Sequence, residues 1–137
     1  MKFYIASRFG LKEEVRVLYK TLEDKGHEII ADWTQHKTVK PYAENKELSR
    51  DYSIEDTNGA MNCDVFILIS NEAGTGIYTE LGAAIANNIK FGIPKIYVVG
   101  EHIDRSMFYY HPSVKQMRTP EEVFKDLGIQ PLNQKHK

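Results

Sequence analysis

The stretch VFILISNEAGTGIYTELGAAIANNI, residues 65–89, decides how this chain folds. Its first six residues, Val65 to Ser70, are an almost unbroken run of β-branched and other apolar types, the pattern of a strand buried on both faces. Gly74 and Gly76 then punctuate the chain. Beyond them an alanine-rich segment with apolar residues at helical spacing predicts a helix from about Gly76 to Lys90. Strand, glycine turn and helix follow one another, and a glutamate, Glu80, falls in what reads as the first turn of a mostly buried helix.

Working outward, the same alternation recurs. Lys2 to Ser7, KFYIAS, reads as strand one and ends at Arg8-Phe9-Gly10. Leu11, Val15, Leu18 and Leu22 keep helical spacing until Gly26, and HEIIADW, residues 27–33, reads as strand two. Thr34 to Tyr42 is a polar loop with a proline, and a second helix runs from about Glu44 to Asn62 with Leu48, Tyr52, Asp56, Gly59 and Ala60 on one face. PKIYVVG is strand four, Glu101 to Ser113 an aromatic loop, and VKQM a short fifth strand. Thr119, Pro120 and Glu122 spell an N-cap, an N1 proline and a capping box for a last helix. The expected fold is a flavodoxin- or Rossmann-like α/β three-layer sandwich, with a five-stranded, mainly parallel sheet between helices. Ligands of such sheets sit beyond the carboxyl ends of the strands, where the strand order switches. The turns after strands one and three both carry glycine and lead into a helix N-terminus, a place for an anion.

The 137 residues suit one domain, taken as residues 1–128 with a polar tail at 129–137. The composition, 42% hydrophobic and 27% charged, is that of an ordinary globular protein, and the net charge of −1 argues against a nucleic-acid polymer as partner. No stretch approaches the roughly 20 apolar residues of a membrane helix, and the N-terminal apolar run is too short for a signal peptide. The single cysteine, Cys63, rules out an internal disulfide, suits a reducing cytoplasm and reads as a small buried hydrophobe. Neither the five histidines nor the cysteine show metal-ligand spacing, so no metal and no cofactor are expected.

Two carboxylates stand out because both point where core belongs. Glu80 lies one turn from Ile77 and Ala84, and Asp56 has Tyr52, Gly59 and Ala60 for neighbours at helical spacing. A buried carboxylate must be paired, hydrogen-bonded or protonated. Taken singly, each has an ordinary explanation: a carboxylate on a helix dipole for Glu80, an ion pair with Arg50 or a lysine for Asp56. Together, on the helix entering strand three and just past that strand's exit, they are placed to meet near Tyr4 on a first strand read as central to the sheet, and two carboxylates on one cavity suit work on a glycosidic bond.

FYIASRF, the Asp56-x7-Asp64 spacing before an apolar strand, and GTGIYTELGAA, in this order, resemble the nucleoside 2-deoxyribosyltransferase family, which includes the deoxynucleoside 5'-monophosphate N-hydrolases and CMP hydrolases. The likeness covers about Lys2 to Gly100. It implies that Glu80 is the nucleophile on the anomeric carbon, kept ionised by the helix N-terminus and a tyrosine hydroxyl. Asp56 would assist the leaving base as a proton donor or as a sugar contact, and Tyr4 would position Glu80. Ser7, Arg8, Phe9 and Gly10 would line the base or phosphate pocket, Gly74, Thr75 and Gly76 would let backbone approach the ribose or phosphate, and a serine from a partner's aromatic loop, here Ser106, would reach the phosphate. Transferases of the family carry a base-reading aspartate shortly before the glutamate; this chain has Glu72 and no aspartate there, and its NQKHK end does not look like a docking tail. Both departures favour hydrolysis of (deoxy)nucleoside 5'-monophosphates over base exchange, with Arg8 and Lys12 suiting the phosphate. A homodimer or higher homo-oligomer is expected. The alternatives are base transfer and a nucleotide-binding sensor without turnover, since GTGIYTE also resembles the GTxxE of phosphoribohydrolases, though without their longer PGGxGT stretch.

Three further readings stay open from sequence. Trp33 is either a stacking platform or core, His36 reads as solvated, and the aromatic run Ser106 to Ser113 is an interface, a pocket wall or a cover for its own sheet edge.

Overall fold

The structure is a computed structural model that describes residues 1–72 and 76–130. Five strands, β1 (Lys2–Ala6), β2 (Glu28–Ile29), β3 (Val65–Ile69), β4 (Lys95–Val99) and β5 (Val114–Met117), form one sheet in the order β2-β1-β3-β4-β5. All four pairings are parallel. Among the described residues four α-helices complete the layers: α1 (Lys12–Asp24), α2 (Lys46–Asn62), α3 (Gly76–Phe91) and α4 (Pro120–Asp126). The fold is the flavodoxin-like α/β sandwich expected from the sequence.

Register separates the two faces. Tyr4, Phe66, Ile96 and Val114 lie opposite one another across β1, β3, β4 and β5, and the next row, Ile5, Ile67, Tyr97 and Lys115, points the other way. The Tyr97 hydroxyl donates to Asp126 of α4 at 2.6 Å, and Ile69 shares an apolar groove with Leu11, Leu18 and Pro120, so α1 and α4 cover the Ile5 face. Glu80 of α3 takes the Tyr4 hydroxyl, and Gly59 of α2 lies against the Tyr4 ring, so α2 and α3 cover the Tyr4 face. Strand residues Phe3 to Ile5 and Val65 to Leu68 are fully enclosed, as strands buried on both faces require.

Several expectations shift. The central strand is β3, with β1 beside it. Strand two is cut to two ladder residues, because the Asp32 carboxylate accepts the Thr34 N–H at 3.0 Å and turns the chain into a 3-10 turn, Trp33–Gln35. Trp33 itself is core: it is buried and its indole N–H donates to the Ile5 carbonyl at 2.6 Å. Helix α2 begins at Lys46 rather than Glu44, and the face read from its spacing is enclosed only at Gly59 and Ala60, with Leu48 left exposed. The capping box of α4 forms as read, Thr119 Oγ1 accepting the Glu122 N–H at 3.2 Å and Glu122 Oε1 accepting the Thr119 N–H at 3.3 Å. Cys63 is a buried small side chain whose thiol is pushed up to about 12 by burial. Among the described residues no helix is long and apolar enough to cross a membrane.

Candidate active site

The site is built around one hydroxyl. Tyr4 sits in the middle of β1 with its ring fully enclosed, stacked on Phe66 of β3 at 5.9 Å and 11°. Both α2 and α3 face that ring. A Cβ on Gly59 would lie 2.9 Å from Tyr4 Cδ1 and 2.9 Å from the Ala31 Cβ, so the absence of a side chain there lets α2 approach. From α3 the Glu80 carboxylate accepts the Tyr4 hydroxyl proton through Oε2. From α2 the Asp56 carboxylate also feels the Tyr4 hydroxyl and raises the pKa of Glu80. The two acids, read separately from two helices, thus converge on one tyrosine.

Burial dominates the electrostatics. Loss of water pushes Glu80 from its ordinary 4.5 up to about 7; the Tyr4 hydrogen bond pulls down against this and the Asp56 charge pushes further up. Asp56 is raised from 3.8 to about 6, again first by burial; His36 and Tyr4 pull down and Glu55 pushes up. The Tyr4 phenol is held far above its ordinary value, first by burial and then by the two carboxylates, so it stays a donor and not a phenolate. These directions correct one expectation. Glu80 is the fifth residue of α3 and not in its first turn, where no acid sits. The helix dipole acts within the first turn, so the hydroxyl of Tyr4 is what favours the ionised form. Near neutral pH the pair holds about one proton between its members, the condition for one acid and one nucleophile.

A histidine that the sequence left as solvated belongs here. His36 is 12% exposed in its side chain, stacked on Tyr52 at 3.7 Å and 2°, with Nε2 2.9 Å from Glu55 Oε1 and Nδ1 3.9 Å from Asp56 Oδ2. Lys37 N–H donates to the Tyr52 hydroxyl at 3.1 Å, fastening the loop after the 3-10 turn to α2. The ligand atoms of His36, Glu55 and Asp56 lie within 4.8 Å of one another. The imidazole meets Glu55 at hydrogen-bonding distance through Nε2 and lies near Asp56 through Nδ1, and one ligand atom from each of the three could serve a metal ion, a grouping that the histidine and cysteine spacing did not suggest. Its distance from α2 in sequence hid it: a lone histidine in a polar loop carries no local signal.

The other predicted residues stand at the carboxyl edge of the sheet. Ser7 is half-buried and donates to the Arg8 carbonyl at 2.9 Å, while Arg8 is exposed and folds its guanidinium over Gly10. Phe9 is 41% exposed, 6.2 Å from the Trp33 ring, with Lys12 Nζ 4.6 Å from its own ring centre. Together they form a rim of one flat aromatic face and two cations, and they touch neither carboxylate. Gly76 opens α3 with free space where a side chain would stand. Gly74 and Thr75 lie outside the described residues. Ser106 caps the 3-10 turn Met107–Tyr110 by accepting the Phe108 N–H at 3.1 Å, and the Tyr109 ring of that turn lies 6.0 Å from Tyr78 of α3. Glu72 meets His102 Nε2 at 3.2 Å.

No family model matches this chain, and no curated protein matches its sequence. A solved structure does match: the CMP N-glycosidase BcmB of Clostridium botulinum superposes with a TM-score of 0.59 over 93% of this chain and 98% of that one, at 18% identity. At that identity the likeness is one of architecture, and it runs the length of both chains. The fold that the sequence resemblance implied is the fold observed: this chain shares its architecture with that enzyme, and it sets half-buried Glu80 on the Tyr4 hydroxyl with half-buried Asp56 nearby.

Proposed function

We propose that the chain belongs with the nucleoside 2-deoxyribosyltransferase family and is an N-glycosidase that hydrolyses (deoxy)nucleoside 5'-monophosphates. The observation that carries the reading is the Tyr4 hydroxyl donated to Glu80, with Asp56 near enough to push Glu80 up, two carboxyl groups that burial raises towards neutrality. The likeness to a CMP N-glycosidase supports it.

In this reading ionised Glu80 attacks the anomeric carbon of the sugar. The bond from that carbon to the base nitrogen breaks as the new carbon–oxygen bond forms. The reactive form is the one with the pair's proton on Asp56, the less populated placement because Glu80 holds a proton more tightly, and Asp56 gives that proton to the departing base. Water then attacks the glycosyl-enzyme, one of its protons returning to Asp56, and Glu80 is released with the configuration retained. Arg8 and Lys12 hold the 5'-phosphate and Phe9 offers a face to the base. The exposed side chains of Met107, Phe108 and Tyr110 suit contact with a second copy, which would bring its Ser106 to the phosphate.

The test is chromatography of free base from each ribo- and deoxyribonucleoside 5'-monophosphate and from the bare nucleosides, with and without a second base, beside Glu80→Ala. Base released from monophosphates and lost in the variant is the expected result. A new nucleoside formed only with the second base makes the protein a transferase. Tight nucleotide binding with no product makes it a sensor and overturns the reading.

A further inference from the structure

The exits of β3 and β4 are stitched together by a buried serine that the catalytic reading does not use. Ser70 is 6% exposed. Its hydroxyl donates to the Val99 carbonyl at 2.8 Å, and the same oxygen accepts the His102 N–H at 3.2 Å. The Ser70 N–H also donates to the Val99 carbonyl, at 2.8 Å. Gly100, between these partners, has φ +116°, a backbone that favours glycine, and a Cβ on it would stand 2.8 Å from Ser70 Oγ. The turn out of β4 is therefore shaped around that hydroxyl. Beyond it, Glu72 and His102 pair at 3.2 Å, but their side chains are 67% and 36% exposed, so the pair is screened and weak. The far half of the loop, residues 103–113, has other supports: Gln116 Nε2 donates to the Ile103 carbonyl at 2.8 Å and to the Tyr109 carbonyl at 3.3 Å. The near half rests on Ser70.

We propose that Ser70 is a positioning residue for substrate binding, its hydroxyl fixing residues 100–102, the start of the loop that carries Ser106. The inference rests on the N-glycosidase reading, which gives that loop a contact with the phosphate end of the substrate. Ser70 has no contact with Tyr4, Glu80 or Asp56, so the chemical step does not depend on it. Its loss frees the His102 N–H and lets the loop drift, and the drift is felt as weaker substrate binding.

The experiment compares Ser70→Ala with Ser70→Thr, which restores the hydroxyl, using the monophosphate that the wild type cleaves. Ser70→Ala is expected to raise KM about fivefold to tenfold with kcat within about twofold, and Ser70→Thr to return KM towards the wild type. An unchanged KM, or a fall in kcat as large as the rise in KM, overturns the proposal. Amide hydrogen exchange of loop 101–113 in the substrate-free protein separates this from failure of the functional reading. Faster exchange in Ser70→Ala and not in Ser70→Thr is expected, and equal exchange in all three proteins overturns the proposal. A wild type that cleaves nothing rejects the N-glycosidase reading and takes the substrate-binding role of Ser70 with it, while the exchange data still decide whether Ser70 sets the loop.

Discussion

Replacing Tyr4 with phenylalanine removes one oxygen from the centre of the site and leaves the ring that stacks on Phe66. Glu80 then loses the donor that opposes its burial. A hydrogen bond to a charged group contributes about 1.5–3 kcal/mol, and about 1.4 kcal/mol moves a pKa by one, so Glu80 rises from about 7 to roughly 8–9. At pH 7 the ionised share drops from about one half to between roughly a tenth and a hundredth. Base release at pH 7 is therefore expected to fall roughly fivefold to fiftyfold in Tyr4→Phe, and its ratio to the wild type to return towards one as the pH approaches 9, where both proteins slow because Asp56 has lost its proton. The wild type gives a bell whose limbs, near 6 and 7, belong to the Asp56–Glu80 pair rather than to either acid alone. The assay is kcat/KM for base release from pH 5 to 9.5 in both proteins. The reasoning is refuted if the variant loses activity equally at every pH, for then Tyr4 does not tune Glu80.

Two further outcomes follow from the same geometry. Glu80 binds its proton more tightly folded (about 7) than unfolded (4.5), so the stability it contributes is fully present below pH 4.5 and is lost as pH rises through 7. Glu80→Gln is expected to leave stability unchanged at pH 4.5 and to raise it by about 1–3 kcal/mol at pH 8 while abolishing base release; thermal melts at the two pH values check this, and an equal shift at both sinks it. Gly59→Ala would put a Cβ 2.9 Å from the Tyr4 ring and from the Ala31 Cβ, so α2 must retreat: a loss of about 1–3 kcal/mol in urea unfolding is expected, with a fall in base release beyond that of a neutral surface control such as Asn58→Ala. Wild-type stability and activity in Gly59→Ala would show that the helix has room to spare.

The strands and helices were legible because their signals are local. The run Val65–Ile69 needs no context to read as a doubly buried strand, and the Thr119-Pro120-Glu122 cap marks its helix within four residues. Strand two failed for the same reason in reverse: its β-branched residues were visible, but the Asp32 side chain that captures the Thr34 N–H competes with the ladder, and only the folded backbone shows which wins. The acids were half legible. A carboxylate among apolar neighbours at helical spacing is a local anomaly, so Glu80 and Asp56 could be picked out, each from its own helix. What each acid meets is set by a different element, and for that the spacing of one helix says nothing. The sequence reading credits the helix N-terminus and a tyrosine hydroxyl together with holding Glu80 ionised; with Gly76 opening α3, Glu80 is a turn too far along for the first, and the hydroxyl from β1 supplies the support. His36 and Ser70 show the limit more plainly. Neither is unusual where it stands in the sequence, and each matters through partners 19 or more residues away. A site assembled from β1, a loop, α2 and α3 exposes in sequence only those members that break a local rule, and the residues that tune and position it break none.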